Sequence, residues 1–230
     1  MQCDQATHFD ITGPHLVNDI DYNWTTISGQ TFRIIVKVLR ADDTIATGYR
    51  GTVTISADDG SGGKIPLIAH TYTMADSGTY IFTGLTITNV YKTNATRIIY
   101  TDDNSCNLHT QIPVAVWFHI YAYDFEPMGI AGTDACSGHP TYTNDSDILV
   151  ALPDRSALCK YIKEQYLGNT QRFPVYDVGP MYSDTPYWNG TGIPKQAPDG
   201  TYRGMDNSYG AEDTLGISQG LNPMVLWRFD

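Results

Sequence analysis

Alternating apolar and polar residues mark several short stretches in the first half of the chain. The stretch 31–39, Thr-Phe-Arg-Ile-Ile-Val-Lys-Val-Leu, is rich in β-branched residues, and 51–56 alternates cleanly. Similar stretches cover 79–87 and 97–101, and turn-forming residues such as those at 58–63 separate them. Short strands at this spacing predict a sandwich of two antiparallel sheets.

Glycine and aspartate positions in this half carry a resemblance to a known family. Residues 43–54 read Asp-Thr-Ile-Ala-Thr-Gly-Tyr-Arg-Gly-Thr-Val-Thr, and 72–85 read Tyr-Thr-Met-Ala-Asp-Ser-Gly-Thr-Tyr-Ile-Phe-Thr-Gly-Leu. Over about residues 7–103, this pattern resembles the immunoglobulin-like repeats of bacterial surface proteins. The resemblance implies a spacer, an adhesive module or an assembly unit, and it carries no catalytic expectation.

The second half also has strand-forming patterns. Residues 114–123 are apolar and strongly β-forming, and 224–229 predict a closing strand. Residues 156–167 have apolar side chains at helical spacing, with Gly168 as a stop, and predict the single short helix. The fold class is therefore expected to be all-β.

Turn residues before Pro113 predict a domain boundary. We expect an immunoglobulin-like sandwich at 1–112 and a second β-domain at 113–230.

Four segments of the second half precede its closing strand in a recognisable order. They are 147–153, 172–180 with Asp-Val-Gly-Pro, 182–189 with Pro-Tyr-Trp, and 207–217. This order resembles the double-psi β-barrel of rare lipoprotein A, expansins and family 45 endoglucanases, over roughly residues 115–230.

The resemblance implies roles for individual residues. Asp177 matches the aspartate of the Asp-Val-Gly-Pro motif, which implies a general acid for glycosidic cleavage. Asp213, or the adjacent Glu212, is the nearest match to a late second carboxylate. Tyr187 and Trp188 would form a stacking platform for sugar rings.

Each of these residues also has a structural interpretation. Asp177 would cap the turn that follows it, Glu212 and Asp213 would be solvated loop carboxylates, and Tyr187 and Trp188 would belong to the barrel core. The sequence at 210–215, Gly-Ala-Glu-Asp-Thr-Leu, departs from the Gly-Ile-Asp-Leu of the relatives. The second carboxylate therefore need not face a groove.

The net charge of the chain limits the kinds of partner that it could bind. The net charge is −11, with 25 acidic and 14 basic side chains, which argues against nucleic acid because phosphates would be repelled. No apolar run approaches the ~20 residues of a membrane span. The six histidines show no metal-binding spacing, and there is no P-loop or dinucleotide motif. We therefore expect neither a metal nor a cofactor.

Four cysteines, without a C-x-x-C pair, favour two disulfides and an oxidising compartment. Three connectivities are possible; we favour Cys3–Cys106 and Cys136–Cys159, because each pair then links positions within one half. Four buried thiols are the alternative.

Four sequons predict N-glycosylation, at Asn23, Asn94, Asn144 and Asn189. No signal-peptide pattern is visible at the start of the chain, which predicts a mature secreted or cell-surface protein.

Three functions fit these observations. The first is an extracellular structural or adhesive protein, possessing a non-catalytic barrel and self-associating into a fibre or binding a cell-surface or glycan partner. Its 16 Tyr and four Trp would supply contact surface. The second is a secreted enzyme that cleaves polysaccharide or peptidoglycan, of glycoside hydrolase or lytic transglycosylase type, with Asp177 as acid. The third is an expansin-like carbohydrate-binding protein that uses Tyr187 and Trp188.

Overall fold

The computed structural model of the chain describes residues 2–89, 92, 96–125, 136, 146–179, 187–188 and 204–230. Over these residues the fold is mainly β-strand with a single α-helix, so the all-β prediction is confirmed. Three predicted glycosylation sites, Asn94, Asn144 and Asn189, lie outside the described residues. Within the described part of the chain, no helix is long and apolar enough to cross a membrane.

The chain divides into two compact units. The first comprises 1–89 and 96–116, and the second runs from 117 to the last residue and includes Lys92. The sequence analysis placed the boundary at 112, in a turn-rich segment. The structure places a single long strand there, and the division between the units falls within that strand.

The first unit consists of two antiparallel sheets. One has the order β1-β3-β6, and the other has the order β8-β7-β4-β5, with β2 paired to β8. In β3, Phe32, Ile34, Val36 and Val38 are buried while the intervening residues are more exposed, which is the alternation of a half-buried strand. The strands are β1 (Ala6–Thr12), β2 (Thr25–Ile27), β3 (Thr31–Arg40), β4 (Thr52–Asp58), β5 (Lys64–Thr71), β6 (Thr79–Thr86), β7 (Thr96–Asp103) and β8 (Leu108–Phe125).

Long-range links hold this unit together. The predicted Cys3–Cys106 disulfide is present and joins residues 103 positions apart. The Tyr49 hydroxyl donates a hydrogen bond to Asp103 in the interior, and burial raises the pKa of this tyrosine. Both links connect residues that are far apart in sequence.

The second unit is a closed ring of six strands. The later part of β8 pairs with β13, and the order continues through β10, β11 and β9 to β12. Because β12 also pairs with β8, with Met205 opposite Ala122, the ring closes. A closed ring leaves no free sheet edge. The further elements are β9 (Val150–Ala151), a 3₁₀ turn (Arg155–Ala157), β10 (Tyr161–Tyr166), β11 (Asn169–Asp177), β12 (Met205–Ser208), α1 (Tyr209–Leu215) and β13 (Met224–Phe229).

The helix predicted at 156–167 is wrong. Cys159 has a positive φ of 64°, which interrupts any right-handed helix, and the predicted Cys136–Cys159 disulfide holds it. Residues 161–166 form β10, which is paired on both sides. Leu167 and Gly168 both have positive φ, as the two-residue hairpin turn between β10 and β11 requires.

The α-helix lies elsewhere. In α1, the Ser208 side chain accepts a hydrogen bond from the Ala211 N–H at 3.2 Å, and Gly216 ends the helix in the left-handed conformation. These are a normal N-cap and C-cap. The helix has only seven residues, too few for its apolar spacing to stand out in the sequence.

Candidate functional site: a buried carboxyl cluster

Asp177 is the last residue of β11. Its backbone pairs with Ala151 of β9, and its Oδ1 accepts a hydrogen bond from the Val178 N–H at 2.7 Å. The side chain is half-buried. These contacts order the turn after β11, which is the structural role considered for this residue.

The two candidate carboxylates on α1 face opposite ways. Glu212 has no exposed surface, whereas Asp213 is exposed. The start of α1 lies against the backbone of Ser146, a residue far from it in sequence. A Cβ at Gly210 would lie 2.3 Å from the Ser146 carbonyl oxygen, so only glycine fits there. The helix is thereby held with Glu212 towards the interior.

The structure adds Glu164, which the sequence analysis did not single out. This residue of β10 is fully buried, and its Oε1 accepts a hydrogen bond from the Asn207 Nδ2 at 2.8 Å. Among the described residues, Glu164 Oε2 and Asn207 Oδ1 have no hydrogen-bond partner. Glu164, Asn207 and Glu212 are hereafter called the carboxyl cluster.

Electrostatics determine the protonation state of Glu164. Burial, which disfavours the charged form, raises the pKa of Glu164, the Asn207 hydrogen bond lowers it, and the nearby Glu212 carboxylate raises it. Together they bring the pKa from the ordinary 4.5 to about 8. At neutral pH, Glu164 is therefore mainly a neutral carboxylic acid.

Tyr187 and Trp188 lie in an aromatic cluster with Trp227. Their exposed fractions are 5% and 3%. The Tyr187 and Trp188 ring centroids are 4.5 Å apart, and the Trp227 indole N–H donates to the Tyr187 hydroxyl. A sugar-stacking platform needs an exposed ring face, so this packing favours the core interpretation of both residues.

The carboxyl cluster has the raised pKa and the paired carboxyl groups of an acid–base site, but it is buried. A carboxylic acid with a raised pKa beside a second carboxyl group is the arrangement that glycosidases use. However, Glu164, Asn207 and Glu212 all have 0% exposed surface, so a polysaccharide cannot contact them in this conformation. Within the described ranges, no group of three His, Cys, Asp or Glu side chains is arranged to hold a metal ion.

Comparisons with known proteins do not assign a family. The sequence matches no family profile and no curated protein. Two structures of superoxide reductase (neelaredoxin) from Ignicoccus hospitalis align with TM-scores of 0.32 and 0.31, at 12% and 10% identity, over 49% and 48% of this chain and 82% and 81% of theirs. The three N-terminal domains of the highly immunogenic outer capsid protein of bacteriophage RB49 align with a TM-score of 0.26 and 12% identity, over 87% of this chain and 56% of that one. Likenesses at these TM-scores carry no argument about fold or function.

Proposed function

We propose that this chain is an extracellular structural protein that self-associates through an exposed strand edge, and that its barrel unit is not catalytic. The observation that carries the proposal is β5, the last strand of its sheet. Among the described strands it pairs only with β4, and none of its eight residues is buried.

The two halves of β5 differ. Lys64 and Pro66 are residues that natural edge strands use to prevent pairing with another chain. The later part, 67–71, contains neither lysine nor proline. Apolar side chains also face solvent along the strand, with exposed fractions of 52% for Ile65 and 36% for Ile68. Residues 67–71 are therefore the segment suited to pairing with a second copy.

The architecture and the disulfides support an extracellular setting. The sheet orders β1-β3-β6 and β8-β7-β4-β5 correspond to the A-B-E and G-F-C-C′ orders of immunoglobulin-like sandwiches. The closed six-stranded ring suits a double-psi barrel. Two disulfides and no free cysteine among the described residues are typical of oxidising compartments.

The carboxyl cluster supports a non-catalytic barrel. Glu164 and Glu212 are fully buried. Asp177 accepts a hydrogen bond from the Val178 N–H in the turn that follows β11. The buried Tyr187 and Trp188 likewise favour a packing role over sugar binding.

The proposal is tested by the size of the purified protein in solution, measured by light scattering after gel filtration and by negative-stain microscopy. We expect an average mass above that of the monomer, and we expect the associated fraction to increase with concentration. Ala69→Lys places a charge on the exposed edge and should reduce the particle size. Gln111→Lys, the same type of change at an exposed residue of β8 whose backbone pairs with Tyr100 of β7, is the matched control and should not. A wild-type protein that stays monomeric at every concentration would refute the proposal.

A further inference from the structure

The connection between β1 and β2 carries an exposed apolar tip. Ile20 has 97% of its surface exposed, and Asp19 and Asp21 flank it. The Asp21 N–H donates a hydrogen bond to Asp19 Oδ1 at 3.0 Å, which orders the tip. We call residues 19–21 the acidic knob.

The base of this connection is firmly anchored. The Val17 N–H donates to Thr25 Oγ1 at 2.9 Å, and the Thr25 hydroxyl donates back to the Val17 carbonyl at 2.6 Å. Both residues are buried. Because the base of the connection is anchored in this way, Ile20 is exposed on a loop that is attached to the sandwich at both ends.

A recess lies beside the same loop, against the start of β3. Its volume is about 300 Å³, at the lower end of ligand pockets and sufficient for a single isoleucine side chain. We call it the loop recess. It is lined chiefly by Pro14, His15, Leu16, Phe32, Arg33 and Ile35.

The loop recess and the acidic knob are complementary. The recess has apolar side chains from Pro14, Leu16 and Ile35 in its lining. Arg33, which also lines it, is exposed and forms no hydrogen bond or ion pair with another described residue. The knob has an apolar tip between two carboxylates. With 97% of its surface exposed, Ile20 does not occupy the recess of its own chain.

We propose that the acidic knob of one copy inserts Ile20 into the loop recess of a second copy, where Asp19 and Asp21 face Arg33. Each copy carries both a knob and a recess, so a two-fold axis pairs each knob with the recess of the other copy and the contact closes on itself. Apolar burial supplies the attraction, and the charges set the register.

This inference rests on the proposed self-association and adds a second contact to it. An antiparallel pairing of β5 edges also closes around a two-fold axis. One such contact gives a dimer, whereas two different two-fold contacts on the same chain join dimers into larger assemblies, which form a filament unless the two axes close into a ring. The fibre expected from the sequence would then need both contacts.

The test compares full-length variants by sedimentation velocity over a range of concentrations. Ile20→Lys removes the apolar tip, and because the side chain is exposed we expect the variant to fold normally. The larger assemblies should then be reduced to dimers. The dissociation constant of this contact should rise at least about tenfold. Leu167→Lys is the matched control, because Leu167 is an equally large side chain with 89% of its surface exposed. It should behave as wild type.

A charge exchange tests the register independently. Arg33→Asp and Asp21→Arg should each weaken association, and the double variant should restore it. If Ile20→Lys assembles as wild type while Ala69→Lys does not, the knob contact is wrong and the proposed function stands. If the wild type is monomeric, both are wrong. If Ile20→Lys and Ala69→Lys combined yield monomers and each alone yields dimers, both are supported.

Discussion

Replacing Glu164 with glutamine should make the second unit more stable, increasingly so as the pH rises. Glutamine has nearly the same shape as a protonated glutamic acid and cannot ionise. At a fully buried position, the substitution therefore removes the titration and leaves the packing and the oxygen that accepts from Asn207 in place.

The magnitude follows from the difference between the two pKa values. In the unfolded chain Glu164 ionises at its ordinary value of 4.5, and in the folded protein at about 8. Between these pH values the unfolded state releases a proton that the folded state retains, so the free energy of unfolding falls as the pH rises. The difference of 3.5 pH units corresponds to about 5 kcal/mol as an upper value, at 1.36 kcal/mol per unit. Below pH 4.5 and above pH 8 this contribution is constant.

The assay is guanidinium unfolding followed by tryptophan fluorescence, at intervals from pH 4 to pH 9. Three of the four tryptophans, Trp117, Trp188 and Trp227, belong to the second unit, so the signal reports mainly on the barrel. We expect the stability of Glu164→Gln relative to wild type to increase across this range by up to about 5 kcal/mol. Asp213→Asn removes an exposed carboxylate from the surface of α1 and is the control. It should follow the wild type at every pH.

A stability difference that is the same at pH 5 and pH 9 would refute this reasoning. It would mean that Glu164 binds its proton equally well in the folded and unfolded states, as an exposed carboxyl group does. A difference that decreases with pH would show that a cationic group stabilises the ionised form in the interior.

Three further predictions concern other parts of the chain. Asp177→Asn should leave folding and self-association unchanged, because its observed contact orders one turn; loss of a glycan-cleaving activity present in the wild type would count against a non-catalytic barrel. Replacing Cys3 and Cys106 together with alanine should lower the free energy of unfolding of the first unit by about 2–5 kcal/mol, since the disulfide closes a loop of 103 residues; an unchanged unfolding midpoint would contradict this. Asn23 is exposed, and peptide mass mapping before and after deglycosylation should show a glycan there; an unmodified peptide in protein from its natural source would exclude it.

Much of the first unit could be predicted from its pattern of residues. The stretches at 31–39, 51–56, 79–87 and 97–101 all lie within or overlap observed strands. Each has one face in the core and one towards solvent, and β-branched residues with a period of two leave little ambiguity under those conditions. The cysteine pairing was also predictable, because each pair links positions within one compact unit.

The second unit was harder to predict because its strand β10 is buried on both faces. In β10, four consecutive residues from Ile162 to Gln165 are buried, so no alternation separates the strand from a helix. The sequence analysis assigned this segment to a helix and did not consider Glu164. No local signal would have identified it, since its burial arises from pairing with β11 and β13.

The sequence by itself determined the all-β class and the negative net charge that disfavours nucleic acid, and it favoured the cysteine pairing that the structure contains. These properties depend on local periodicity, on spacing and on total charge, each of which can be read along a single chain. Only the tertiary structure decided which carboxyl groups enter the interior, that Tyr187 and Trp188 are buried, and that the exposed Ile20 of the acidic knob does not fill the loop recess. These features arise where segments far apart in sequence pack together. The protonation state of Glu164 follows from its burial and from its closeness to Glu212 and Asn207.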